Sequence, residues 1–238
     1  MKRFFFCSAR GRRRANEDRF DYILGGDTDY LGVYDGHGGS RVASRLSRGF
    51  LRRWVTTSDP QKSIYQLERG LRRGGEDVGS TLVACKVDKR KGVVKTVNVG
   101  DSRAVLVCAD GTAVDLTVDH KPSAELSRLR EAGASVEYDA SDDIARVEGF
   151  GLSRAVGDTA HPFLTSAADT AVVNYGHLGG RYLVLASDGL WDVADGAEVA
   201  SVLSERPPGG QGNLAEVLVR HALKRGSQDN VTVLLYEL

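Results

Sequence analysis

Cysteine is scarce in this 238-residue chain: Cys7, Cys85 and Cys108 are odd in number and widely spaced. They form no C-x-x-C pair and suggest no disulfide framework, so a reducing compartment fits best. Long apolar runs are missing as well. The opening has a basic start, but its apolar stretch Phe4-Phe5-Phe6-Cys7 is soon interrupted by Arg10 and Arg12. That is too short for a signal-peptide core, and nothing later is expected to span a bilayer. A cytoplasmic or nuclear protein without membrane contact is expected. There is no repeat, no low-complexity segment and no Pro/Ser-rich linker, which favours a single domain over residues 1–238.

Net charge is absent overall but not locally. Residues 1–75 hold 16 Lys/Arg against 8 Asp/Glu (+8), and residues 76–238 hold 16 against 24 (−8). Arginine outnumbers lysine 24 to 8, giving forked donors that suit phosphate oxygens. A solvated basic face explains the same counts. No base-stacking aromatics are interleaved with Arg41, Arg45, Arg48 and Arg52, so nucleic acid is disfavoured as a partner.

What the chain does have is a stretch from Leu31 to Trp54 that organises the rest. An apolar strand end (Leu31, Val33, Tyr34) breaks into Asp35-Gly36-His37-Gly38-Gly39, and a helix follows over about Ser40–Val55. Val42, Leu46, Phe50 and Trp54 recur every four residues on one helix face, opposite the four arginines. A glycine-rich turn between two ordered elements lets backbone approach a ligand.

Strands are expected at Phe4–Ser8 and Phe20–Leu24. A short helix around Leu67 and Leu71 would be stopped by Gly74-Gly75. From Gly79 valine-rich runs predict a meander of about four antiparallel strands, with a tight turn at Asp110-Gly111. Ser123 is expected to cap a helix that Gly133 ends. Short strands follow near Ala134–Glu137 and Ile144–Glu148. Ala171–Asn174 and Arg181–Ala186 read as a strand pair. Asp195 with Glu198, and Asn213 with Glu216, read as capping boxes of two helices before a last strand at Val231–Leu238. This order lacks a regular βαβ alternation. It points to an α+β fold of antiparallel sheets with helices on their outer faces.

The chemistry-bearing residues are acids at element junctions. Asp35 and Asp188 each follow an apolar strand run and open a turn toward helical sequence. Glu17, Asp18, Asp101, Asp158, Asp192 and Asp229 lie at similar junctions. Singly, each is more often a cap or a solvated carboxylate. Together, with few histidines and no cysteine among them, they form a hard-oxygen set that selects Mg²⁺ or Mn²⁺ over zinc.

Eight pieces then fall in one order: Arg13-x-x-Asn16-Glu17-Asp18, Asp35-Gly36-His37-Gly38-Gly39, Gly79-Ser80-Thr81, and Asn98 through Arg103. They continue with Asp119-His120-Lys121-Pro122, Leu152 through Asp158, Ala186 through Asp192, and Gly226 through Asn230. In these the chain resembles the metal-dependent serine/threonine protein phosphatases of the 2C type. The resemblance implies a four-layer α-β-β-α sandwich, two antiparallel sheets packed face to face with outer helices. It implies two Mg²⁺ or Mn²⁺ ions, with Asp35 bridging, the Gly36 carbonyl on one ion, Asp188 and Asp229 on the other, and Glu17 and Asp18 at metal-bound waters or a metal edge. Asp101 and Asp192, with Asp188, match a third, weaker position. Arg13 would bind substrate phosphate and His37 would act as general acid. The implied activity is hydrolysis of phosphoserine and phosphothreonine in proteins by a metal-bridging hydroxide, without a phosphoenzyme, by a monomer. His120 reads as a structural turn residue or a second proton donor, with the structural role favoured, and Asp158 belongs to the motif without an assigned role. A catalytically inactive relative serving as a binding or regulatory module stays open as the alternative, and it should have lost one of Asp35, Asp188 or Asp229. The compact segment between Phe50 and Gly79 leaves substrate choice open.

Overall fold

The structure is a computed structural model that describes residues 4–71, 78–139, 144–205 and 212–238. Strands β1 (Phe4–Ala9), β2 (Arg19–Ile23), β3 (Thr28–Tyr34) and the two-residue β4 (Gly36–His37) lead into helices α1 (Arg41–Thr57) and α2 (Pro60–Glu68). Then come β5 (Gly79–Ser80), β6 (Leu82–Asp88), β7 (Val93–Val99), β8 (Arg103–Cys108) and β9 (Ala113–Asp115). A 3₁₀ turn at Pro122–Glu125 and α3 (Leu126–Glu131) precede the hairpin β10 (Val136–Asp139) and β11 (Ile144–Val147). The chain continues through β12 (Val156–Gly157), β13 (Asp169–Asn174), β14 (Gly180–Ala186), α4 (Asp188–Trp191), α5 (Gly196–Ser204), α6 (Leu214–Lys224) and β15 (Val231–Glu237).

Two five-stranded antiparallel sheets result, in the orders β1-β15-β14-β8-β9 and β13-β7-β6-β3-β2. Side-chain alternation along the inner strands fills two cores at once. In β3, Leu31 and Val33 face the other sheet, while Tyr30 and Tyr34 face α1. In β14, Leu183 and Leu185 point between the sheets, and Tyr182, Val184 and Ala186 point toward α5 and α6. The fourfold spacing of Val42, Leu46, Phe50 and Trp54 buries one face of α1 against the second sheet. This is the expected four-layer sandwich.

Three local expectations differ. The valine-rich meander is divided between the sheets: β6 pairs with β7 in one and β8 with β9 in the other, because the chain crosses over at Gly100-Asp101-Ser102. The strands around 171–174 and 181–186 do not pair with each other. β13 pairs with β7, and β14 with β8 and β15. Alternating polarity marks a strand but not its neighbour. Ser123 caps nothing; it lies inside the 3₁₀ turn, and α3 starts at Leu126, its N-cap Glu125 making no side-chain capping bond. By contrast Asp195 accepts from Glu198 N at 2.8 Å, and Asn213 accepts from Ala215 N and Glu216 N. The second helix ends before the expected stop, at Glu68, and Gly74-Gly75 lies outside the described residues.

Candidate active site

Strand ends deliver the acids to one end of the sandwich. Asp35 follows the last residue of β3, Asp188 stands two residues past β14, and Asp229 stands two before β15. Asp18 immediately precedes β2, and Asp101 sits in the crossover from β7 to β8. They line or underlie a cleft of about 1190 Å³, whose wall includes Glu17, Asp35, Asp101, Asp188, Asp192 and Asp229, together with Gly36 and His37. Arg13, Arg14, Lys121 and Arg146 bring positive charge to the same cleft. All ten residues singled out for the site therefore meet in one place, with Asp18 buried beneath the rest. His120 is elsewhere: it is 3% exposed, accepts from Gly100 N at 2.9 Å through Nδ1 and pairs with Asp169 through Nε2.

Asparagine 230 ties the parts together. Its Oδ1 accepts from Glu17 N at 2.7 Å, and its Nδ2 donates to Arg10 O and Ala15 O. The loop carrying Arg13 is thereby moored to the segment that carries Asp229 into β15. Arg13 Nη2 donates to Asp229 Oδ2 at 2.5 Å. Ser187 Oγ donates to Asp18 Oδ2 at 2.9 Å.

Electrostatically, the cleft floor is under load. Desolvation, and then the charges of Asp188, Asp18 and Asp101, hold the Asp35 carboxyl well above the usual carboxylate range. Desolvation followed by Asp101, Asp192 and Asp229 does the same to Asp188. Burial also lifts Asp18. Asp35 lies within hydrogen-bonding reach of both neighbours, so it is the hub of the set. Lys121 Nζ lies 2.6 Å from Asp101 Oδ2; desolvation pulls its pKa down, but Asp101 more than offsets this and leaves it raised.

Among the described residues no group of three or more His, Cys, Asp or Glu side chains is closed into a ready-made metal cage. The donor set nevertheless suits a divalent cation. It consists of hard oxygens, its carboxylates repel one another, and the buried Oδ1 atoms of Asp18 and Asp188 have no hydrogen-bond partner. A cation would satisfy these acceptors and offset the repulsion.

The sequence model described as protein phosphatase 2C matches residues 3–231. The chain belongs to the protein phosphatase 2C family. The probable protein phosphatase 2C 71 of Arabidopsis thaliana is 34% identical over 95% of this chain, and the probable protein phosphatase 2C 55 of Oryza sativa subsp. japonica 35% over 98%. The chain spans 53% and 65% of the length of these two relatives. A crystal structure of serine-threonine phosphatase 2C from Toxoplasma gondii superposes with a TM-score of 0.85 at 24% identity. The match covers 99% of this chain and 94% of that one, a likeness of fold.

Reading the sequence assigned no role to Lys121, Asn230 and Phe150, which line the cleft, or to Asp158, which is buried behind His37. Lys121, Asn230 and Asp158 stand inside family motifs, which was the available signal. Phe150 sits in Gly149-Phe150-Gly151, and nothing in its local pattern marks it as facing a cleft.

Proposed function

We propose that this chain is a metal-dependent protein phosphatase domain that hydrolyses phosphoserine and phosphothreonine in proteins, using Mg²⁺ or Mn²⁺. The observation that carries the reading is the cluster of mutually repelling carboxylates around Asp35 at the floor of a cleft that also holds Arg13. Asp35, the Gly36 carbonyl, Asp188 and Asp229 would hold two cations, with Glu17 and Asp18 behind them and Asp101 and Asp192 at a third, weaker position. Cations held there supply an activated water nucleophile near neutral pH and offset charge on the phosphoryl oxygens.

The chain's own groups do the rest. Arg13, raised further above its ordinary pKa chiefly by Asp229, stays cationic and presents its guanidinium to the phosphoryl oxygens. His37 lines the same cleft and would give its proton to the serine or threonine oxygen as the phosphorus–oxygen bond breaks. Water oxygen joins phosphorus, the alcohol leaves protonated, and no phosphoenzyme forms. The rim arginines favour a negatively charged substrate over a neutral one. A catalytically inactive relative is disfavoured because Asp35, Asp188 and Asp229 are all retained. The chain is expected to be one monomeric domain, cytoplasmic or nuclear, the free thiols fitting a reducing compartment.

Release of phosphate from a phosphothreonine peptide tests this reading. Chelation should abolish it and added Mn²⁺ restore it. Turnover indifferent to chelator would exclude the mechanism.

A further inference from the structure

Beside the acid cluster, a small three-stranded sheet brings three distant segments together. It has the order β12-β5-β4, and its registers set His37 opposite Gly79 and Gly79 opposite Gly157. Asp158 comes next, with a side chain fully shielded from solvent, and its Oδ2 lies 2.8 Å from His37 Nε2. The other ring nitrogen of His37, Nδ1, has no protein partner among the described residues. It is the nitrogen available to the cleft.

Three features show that this contact is built rather than incidental. Asp158 adopts φ +43°, a left-handed conformation uncommon for a side-chain-bearing residue. Its Oδ1 is buried without a partner, a cost normally avoided. At Gly79 a Cβ would stand 1.9 Å from Asp158 Oδ2 and 2.4 Å from His37 Nε2, so any larger residue would drive the pair apart. Phe150 closes the other side, its ring edge-on to the His37 imidazole at 5.8 Å.

We propose that Asp158 is a positioning residue. Its carboxylate accepts from Nε2–H and fixes the ring so that Nδ1 faces the substrate's leaving oxygen, and position 79 is glycine to leave this contact open. The inference rests on the phosphatase reading above. When Nδ1 gives up its proton, Nε2 keeps the proton that Asp158 holds, and the ring ends as the neutral Nε2–H tautomer.

The test compares two esters in Mn²⁺, phenyl phosphate with a basic leaving oxygen and p-nitrophenyl phosphate with a far less basic one. Only the first needs a well-placed acid. Asp158→Asn suits the left-handed backbone and keeps the side-chain shape. It should lower kcat on phenyl phosphate about 10- to 100-fold, part of the 10²–10⁴ that a positioned acid supplies, and on p-nitrophenyl phosphate less than about 3-fold. KM should hold for both. Combined with His37→Gln it should add almost nothing to the loss from His37→Gln alone. Gly79→Ala, which leaves both ionisable groups in place, should give the same ester-dependent pattern. Equal losses on the two esters, or losses that multiply in the double variant, would overturn the positioning role while the phosphatase reading stands. A folded wild-type protein that turns over neither ester would sink the phosphatase reading, and this inference with it.

Discussion

Neutralising one acid at the cleft floor should make the metal-free protein more stable and the metal-loaded protein inactive. Asp188 is the informative position. It opens the short α4, its Oδ1 is buried without a partner, and desolvation together with Asp101, Asp192 and Asp229 disfavours its charge. Asp188→Asn keeps the shape and removes one negative charge. Because the carboxyl is partly open to the cleft, the relief is discounted to about 1 kcal/mol rather than the several expected for a sealed site. For a chain of this size that raises Tm by about 2–4 °C. In Mn²⁺ at about a hundred times its Kd the wild type gains about 2.7 kcal/mol, most of which the variant should forgo. Thermal melts in chelator and then in Mn²⁺ should therefore reverse the order of the two proteins, and turnover of the variant should fall at least about 100-fold. A variant that melts below wild type in chelator, or that gains as much from Mn²⁺, would refute the reasoning.

Other consequences are more local. Arg13→Ala should raise KM for a phosphopeptide about tenfold or more with a smaller change in kcat, read from initial rates; an unchanged KM would move the phosphate contact to Arg14. Asn230→Ala removes three hydrogen bonds that moor the loop 10–17, at about 1 kcal/mol each, so Tm should fall by about 6–12 °C; a loss under 2 °C would show that the loop is held elsewhere. Burial beneath α1 lifts the Asp21 carboxyl to about 7, although Tyr34 donates to it. Between about pH 4 and 7 the folded state then binds more protons than the unfolded state, so this group's stabilising contribution is lost as pH rises, by at most about 1.4 kcal/mol per pH unit. Urea midpoints of Asp21→Asn against wild type should diverge in the variant's favour over that range, and parallel curves would contradict the assignment.

Most of the acid set was legible because each carboxylate sits at an element junction, Asp35 and Asp188 where an apolar strand stops, and eight short pieces in order pointed to the family. The order of strand and helix patterns pointed to antiparallel sheets with outer helices, and the family resemblance implied the four layers. Strand partners were not legible: the crossing between sheets at Gly100-Asp101-Ser102 has the same turn chemistry as a hairpin, and β13 and β14 look alike locally while lying in different sheets. The Asp158–His37 contact was hidden for a similar reason. It spans 121 residues and depends on a glycine whose reason for being small is visible only in three dimensions. Ser123 misled because a good capping residue after Lys121-Pro122 was drawn into a 3₁₀ turn.

The most direct measurement is the number of Mn²⁺ ions held by the folded chain, from equilibrium dialysis with metal analysis. About two tightly bound ions per chain are expected for the wild type, and fewer for Asp35→Asn and Asp229→Asn at unchanged fold. A wild-type chain that retains no Mn²⁺, or variants that retain as much as it does, would contradict the account.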